Sequence, residues 1–315
     1  MASRQQYLKT VLALERADFS TLQSLPVENA NQDGQTITVN IPSISETRAN
    51  SLDWFDRLNH HYQQGRQQQL LTNLLAHGSV GDFTTTPYSD FDFTIVLSND
   101  VLKNESRYRE YRRWLKILYR LLFRIDPLQH HGPFYLWDDL IKQYANSILP
   151  LAVYEDAWAM ESFQAEFCVC REPSEQESRI SLNLCRNLTN AKRLLFRLGY
   201  NRFAIKRYLS YVMLIPAFYY TDIGQPMKKA DSFEPFFKDF GSIARPIQIA
   251  SEARQSWPVN PSWFNLIAPA FSRTRYLRRL WCLSLVDKKL TNTVRQIEPF
   301  IPNLESTLKQ RLCIE

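Results

Sequence analysis

The sequence predicts an α+β protein, a small mixed β-sheet with helices on one face, followed by a helical C-terminal domain. Three observations predict it. Phe93-Thr94-Ile95-Val96-Leu97 is a short apolar, β-branched run closed by Ser98-Asn99-Asp100, the pattern of a buried strand. Leu74-Leu75-Ala76 reads as a second strand that delivers the turn at Gly78-Ser79. From Ser178 onward the apolar spacing is helical throughout. The polar run from Arg171 to Glu177 separates the two patterns and divides the chain into domains 1–173 and 174–315.

Residues 4–24 read as a helix, with Tyr7, Val11, Leu12 and Leu14 between charges, and Gln35–Ile41 alternates as a short strand. Ser51 is a candidate N-cap for a helix whose apolar members Leu52, Phe55, Leu58 and Tyr62 fall at helical spacing. Glu105–Phe123 is a strong helix with a buried stripe of Tyr111, Trp114, Leu115, Leu118, Leu121 and Leu122, stopped by Asp126-Pro127. Its other side is basic and reads as a solvated face rather than a nucleic-acid groove. Leu128–Trp137 reads as the next strand, with Pro133 marking an edge position or a bulge. In the second domain, Ser178–Leu198 is a helix with Gly199 as its C′ residue, and Asn201–Tyr219 is a long apolar helix. Arg273–Leu285 alternates basic and apolar residues, and Leu290–Leu312 closes the helical part.

The 315 residues, 44% hydrophobic, are enough for one large or two medium domains with ample core. No apolar run is long enough to span a membrane, and the first six residues lack the apolar core of a signal peptide. Five scattered cysteines, two of them spaced C-x-C at Cys168 and Cys170, suit neither a disulfide framework nor zinc, so a cytoplasmic location is expected. The net charge of +6 fits a polyanionic ligand such as a nucleoside triphosphate; it permits nucleic acid without requiring it.

The chemistry concentrates in residues 74–97. Gly78 has no Cβ to hold a phosphate away from the backbone, and the Ser79 hydroxyl can bond a phosphate oxygen. Asp90 and Asp92 lie one residue apart at the head of the apolar strand, so alternation places both carboxylates on one face. Two like charges there call for a neutralising partner, and hard oxygen ligands suit Mg²⁺. A phosphate cradle beside a metal-binding carboxylate pair is what nucleotidyl transfer needs.

His77-Gly78-Ser79, a spacer of ten residues, and Ser89-Asp90-Phe91-Asp92-Phe93 resemble the first two motifs of the DNA polymerase β-like nucleotidyltransferase superfamily. Gly81-Asp82-Phe83-Thr84 resembles the G-x-x-T-type loop that follows the first motif in many members. The likeness covers about 25 residues. It implies that Asp90 and Asp92 bind Mg²⁺ (or Mn²⁺), that Gly78-Ser79 holds the β- and γ-phosphates of an NTP, and that a helical partner closes over the cleft. A third acidic residue usually sits on the neighbouring strand in that superfamily. Here that strand carries none; Asp126 precedes it and Asp138-Asp139 follow. His131, or else His130, is the candidate to take its place as base or ligand, since a neutral imidazole accepts a proton or a metal near pH 7.

The expected activity is transfer of a nucleoside monophosphate from an NTP to a hydroxyl of a small molecule or a protein. The absent third carboxylate keeps open a nucleotidyltransferase-fold protein that binds a partner with little or no catalysis, and an antitoxin-like transferase acting on a partner is a further alternative.

Overall fold

The computed structural model describes residues 4–16, 18–24, 34–170, 179–198, 200–259 and 287–313. The hinge expected at Arg171–Glu177, the C′ role of Gly199 and the stretch Arg273–Leu285 lie outside them. The architecture is α+β, with small sheets and many helices. The chain divides into two compact units. One takes Met1–Thr84, Phe91–Asp126 and His131–Glu172; the other takes Thr85–Asp90, Pro127–His130 and Pro173–Glu315. The division therefore falls between Asp90 and Phe91, and again between His130 and His131. No described helix is long and apolar enough to cross a membrane.

The first unit opens with α1 (Arg4–Arg16) and α2 (Phe19–Ser24) in place of one long helix, then β1 (Gly34–Ile41), α3 (Glu46–Asn50) and α4 (Phe55–Gln67). Ser51 is not the N-cap of α4. It ends α3, its hydroxyl donating to the Arg48 carbonyl at 2.6 Å, and α4 starts after Trp54. Next come β2 (Leu71–Ala76), the one-turn α5 (Gly78–Gly81), β3 (Phe93–Leu97), α6 (Asn99–Lys103) and α7 (Glu105–Ile125). They are followed by β4 (Phe134–Leu136), α8 (Asp138–Ile141), β5 (Trp158–Ala159) and β6 (Phe163–Cys170).

Four strands form a mixed sheet in the order β4-β3-β2-β5. β3 runs antiparallel to β2 (Leu74 opposite Ile95) and parallel to β4 (Ile95 opposite Tyr135). A parallel neighbour needs a crossover, and α7 provides it. β3 has a strand on either side and all five of its residues are buried, in keeping with its largely apolar sequence; its one polar member, Thr94, is hydrogen-bonded. β1 and β6 pair separately as an antiparallel ribbon.

α7 starts at Asn104, whose side chain accepts from the Ser106 and Arg107 N–H groups, and buries Tyr108, Tyr111, Trp114, Leu115, Leu118 and Leu122. Trp114 stacks on His61 of α4 at 4.9 Å, and its indole N–H donates to the His61 carbonyl at 2.9 Å.

Two strand expectations need correction. β3 begins at Phe93, so Asp90 and Asp92 precede the ladder and alternation does not govern them. The last link is His77 N–H to the Asp92 carbonyl at 3.1 Å, after which Gly78, at φ +60°, turns the chain into α5. The strand expected over Leu128–Trp137 shrinks to Phe134–Leu136. Pro133 has no N–H to give a ladder, and β4 sits at the sheet edge, the position that a nearby proline suits.

The second unit is helical: α9 (Ile180–Leu198), α10 (Arg202–Asp222), α11 (Lys229–Phe240), α12 (Arg245–Gln255), α13 (Lys288–Ile297) and α14 (Ile301–Arg311). The run Leu290–Leu312 is thus two helices, separated by a short turn at Glu298–Phe300. α10 is buried nearly all round, through Ile205, Leu209, Val212, Met213 and Ile215 among others, as a central helix must be. Asn201 caps its start by accepting from the Ala204 N–H. At its far end the Asp222 carboxylate accepts from the Ile180 and Ser181 N–H groups, both at 2.9 Å, and so caps α9 from another helix.

Candidate functional site

In the sheet unit, Gly78, Asp92 and His131 come together. Two facts require glycine at position 78. Its φ of +60° is left-handed, and a Cβ there would lie 2.8 Å from Asp92 Oδ2. The space that the absent Cβ leaves is used by the Asp92 carboxylate, whereas the sequence assigned it to a phosphate. Ser79 follows in α5, half-buried. α5 is fixed from below: the Trp158 indole N–H donates to the Val80 carbonyl at 3.1 Å, and a side chain on Gly81 would meet the Asp156 and Ala76 carbonyls at 3.0 and 3.1 Å. In the loop beyond, the Thr84 N–H and hydroxyl both reach Asp82 Oδ1, and Phe83 has a φ of +62°.

His131 lies within reach of Asp92, with Nε2 2.9 Å from Oδ1. Its Nδ1 is 2.9 Å from the Gly132 carbonyl, which can only accept, so the hydrogen-bond partner assigns a proton to Nδ1. A protein that presents a histidine Nε2 to a cation holds Nδ1–H on a backbone carbonyl in just this way. The side chains of His131 and Asp92 stay 32% and 27% exposed, so solvent reaches the pair. One carboxylate oxygen and one imidazole nitrogen at this separation fit as neighbouring ligands of a single divalent cation, and an N/O donor pair suits Mn²⁺ at least as well as Mg²⁺.

Behind them lies His77, 2% exposed. Its Nε2 meets Thr94 Oγ1 at 3.2 Å, and that hydroxyl meets the Tyr154 hydroxyl at 3.0 Å. Burial pushes its pKa down to about 4 although the Asp92 charge opposes this; a positive His131 adds to the lowering. His77 is therefore neutral near pH 7 and supports the backbone of Asp92 through its own N–H.

Within the helical unit, Asp90 meets Lys206 and His130. Lys206 Nζ of α10 is 2.9 Å from Asp90 Oδ1, and His130 Nδ1 is 3.1 Å from Oδ2. The Asp90 and His130 side chains are 8% and 7% exposed, and Lys206 is wholly buried. Lys206 also donates to the Ser89 carbonyl at 3.4 Å and lies 5.6 Å from the centre of the Tyr88 ring. The Tyr88 hydroxyl donates to the Lys206 carbonyl at 2.8 Å and shares a hydrogen bond with Ser210 at 2.7 Å, while its ring meets Trp257 edge-on.

As the sequence indicates, β4 carries no carboxylate: it consists of Phe134, Tyr135 and Leu136. Asp126 caps the end of α7 and is buried, and Asp138 accepts from Asn99 Nδ2 at 2.6 Å. Both histidines that the sequence offered lie beside an aspartate of the motif, His131 by Asp92 and His130 by Asp90, and neither is placed by strand alternation. Lys206 was passed over. The available signal was a lysine set among Phe203, Ala204, Ile205, Tyr208 and Leu209 on an otherwise buried helix, where a charge needs an acidic partner.

No protein-family model, curated protein or solved structure matches the chain.

Proposed function

We propose that the sheet unit is a nucleotidyltransferase domain of the polymerase β-like kind, transferring a nucleoside monophosphate from an NTP to a hydroxyl acceptor on a small molecule or protein. The observation that carries this reading is the meeting of Gly78, Asp92 and His131 at the junction of β2 and β3. The strand–turn–strand order of β2, α5 and β3 and the presence of a helical second unit support this reading. Asp92 and His131 would hold the divalent cation, and Gly78-Ser79 would face the phosphates. Such a cation offsets the charge that builds on the reacting phosphate and its leaving group. His131 would serve as a ligand in this scheme, with Nδ1–H on Gly132 and Nε2 toward the site, and a nitrogen that holds the cation is not available as a base. The free thiols of Cys168, Cys170, Cys185 and Cys313 suit a cytoplasmic setting.

The test is labelling. Purified protein is incubated with each α-³²P-NTP and Mg²⁺ or Mn²⁺ in a cell extract, and the fractions are examined for label. Transfer by the wild type, lost in Asp92→Asn, is expected; label carried equally by both proteins would refute the assignment.

A second reading has its own support. The buried Lys206–Asp90 pair and the lack of a carboxylate on β4 favour a nucleotidyltransferase-fold protein that binds nucleotide or a partner without turnover. Saturable NTP binding with no labelled product from any extract would favour it.

A further inference from the structure

We propose that the outer face of α7 is a docking surface for the phosphate backbone of a nucleic-acid duplex, whatever reaction the sheet unit performs. From sequence alone the basic side of this helix reads as a solvated face, but its two halves are built differently. In the first two turns the arginines have acids: Arg109 pairs with Glu105 at 2.7 Å and Arg107 with Glu110 at 3.0 Å. No acidic residue follows Glu110 in the helix. Arg112 turns away and donates to the Leu14 carbonyl. Arg113, Lys116, Arg120 and Arg124 are exposed, and none of the four pairs with a carboxylate among the described residues.

Steps of three and four residues put these cations in one row, about 4.5–6 Å apart along the axis and about 16 Å from first to last. Like charges at that spacing weaken a helix. The negative end of the helix offsets this for Arg124 in the last turn, but not for Arg113 and Lys116 in the middle. A face that had only to stay solvated would carry acids between its cations, as the first two turns do. An external polyanion removes the repulsion instead. Each strand of a duplex presents one phosphate per about 3.4 Å of its axis, a regular and rigid array like the row itself. Among the described residues of α7, Ile117 is the one large apolar side chain left exposed, so the face has no apolar surface to enter a lipid bilayer. It exposes no aromatic ring either, which an unstacked single strand or a protein hot spot would use.

The test is fluorescence anisotropy of the full chain with short labelled DNA and RNA duplexes, beside single strands of the same length. The wild type is expected to bind a duplex, with Kd rising about 10²-fold between about 50 and about 200 mM NaCl, the dependence for roughly four phosphates. Arg113→Gln/Lys116→Gln/Arg120→Gln/Arg124→Gln should weaken binding at least ~10-fold and flatten the salt dependence. Lys103→Gln/Lys238→Gln/Lys288→Gln/Lys289→Gln removes the same charge from exposed positions elsewhere and should change Kd less than ~3-fold. Glutamine is a good helix former, so both variants should fold. Equal losses in the two variants would reduce the binding to net charge and overturn the proposal. So would no duplex binding by the wild type at the lower salt, tighter binding of the single strands, or binding confined to vesicles containing phosphatidylserine.

Discussion

Asp90 and Asp92 are the same side chain one residue apart, yet they occupy opposite electrostatic settings. Asp92 sits at the end of a strand pair, touches a glycine chosen for its missing Cβ, and shares a solvent-reached edge with His131. Asp90 belongs with the helical unit, closed in by Lys206 and His130. A sequence motif records residue types and spacing, but the charge that answers each carboxylate comes from elsewhere in the chain. Here one answer is a partly exposed imidazole, and the other is a wholly buried ammonium.

Stability should separate the two most sharply. Lys206→Met leaves the Asp90 charge buried beside an apolar chain, and breaking a buried pair in this way costs about 3–5 kcal/mol. Removing both charges in Lys206→Met/Asp90→Asn should recover most of that loss. Asp92→Asn, on a partly exposed pair, should cost less than about 1 kcal/mol. Urea denaturation of the four proteins measures all three values. Equal losses for Lys206→Met and Asp92→Asn would erase the distinction between the two carboxylates.

The next largest effect belongs to the support behind Asp92. The folded chain holds His77 down to about pKa 4, against 6.5 when unfolded. The unfolded chain thus takes up a proton that the folded one refuses. The stability that His77 contributes is whole above about pH 6.5 and drains away as pH falls toward 4, by up to roughly 3 kcal/mol. His61, also lowered chiefly by burial, adds a slope of the same sign. Unfolding free energies at pH 7 and pH 5 should therefore differ clearly in the wild type and much less in His77→Gln. An unchanged difference in the variant would show that His77 accepts its proton without cost.

These environments were unevenly legible. β2, β3, α7 and α10 could be read because burial imposes a period on the chain itself: uniform apolar residues in a central strand, a stripe in α7, apolar residues all round in α10. The need for glycine at position 78 was legible from its missing Cβ, but the sequence assigned that space to a phosphate, and the structure gives it to the Asp92 carboxylate beside a backbone at φ +60°. The placement of Asp90 could not, since alternation applies only inside a ladder and the ladder ends at Phe93. Lys206 and His130 gather around Asp90 through tertiary folding, which leaves no local spacing to detect. Pro133 signals an edge position, but the apolar alternation from Leu128 onward misleads, because Leu128 is buried in the core of the helical unit and not in the sheet.

The smallest effect is the most specific to Asp92. Gly78→Ala carries two penalties, a left-handed backbone that alanine resists and a Cβ 2.8 Å from the Asp92 carboxylate. Gly224 offers the control: its φ is +79°, but nothing lies within 4 Å of a Cβ built there. Gly224→Ala should therefore show the backbone cost alone, about 1 kcal/mol. Gly78→Ala should exceed it, to about 2–3 kcal/mol, because the carboxylate must shift as well. The shift also has a consequence that strain alone lacks. Moving Asp92 away from His131 should weaken Mn²⁺ binding several-fold in Gly78→Ala and leave it untouched in Gly224→Ala. If both alanine variants bind Mn²⁺ like the wild type, the close approach of Gly78 to Asp92 shapes the turn but not a cation site.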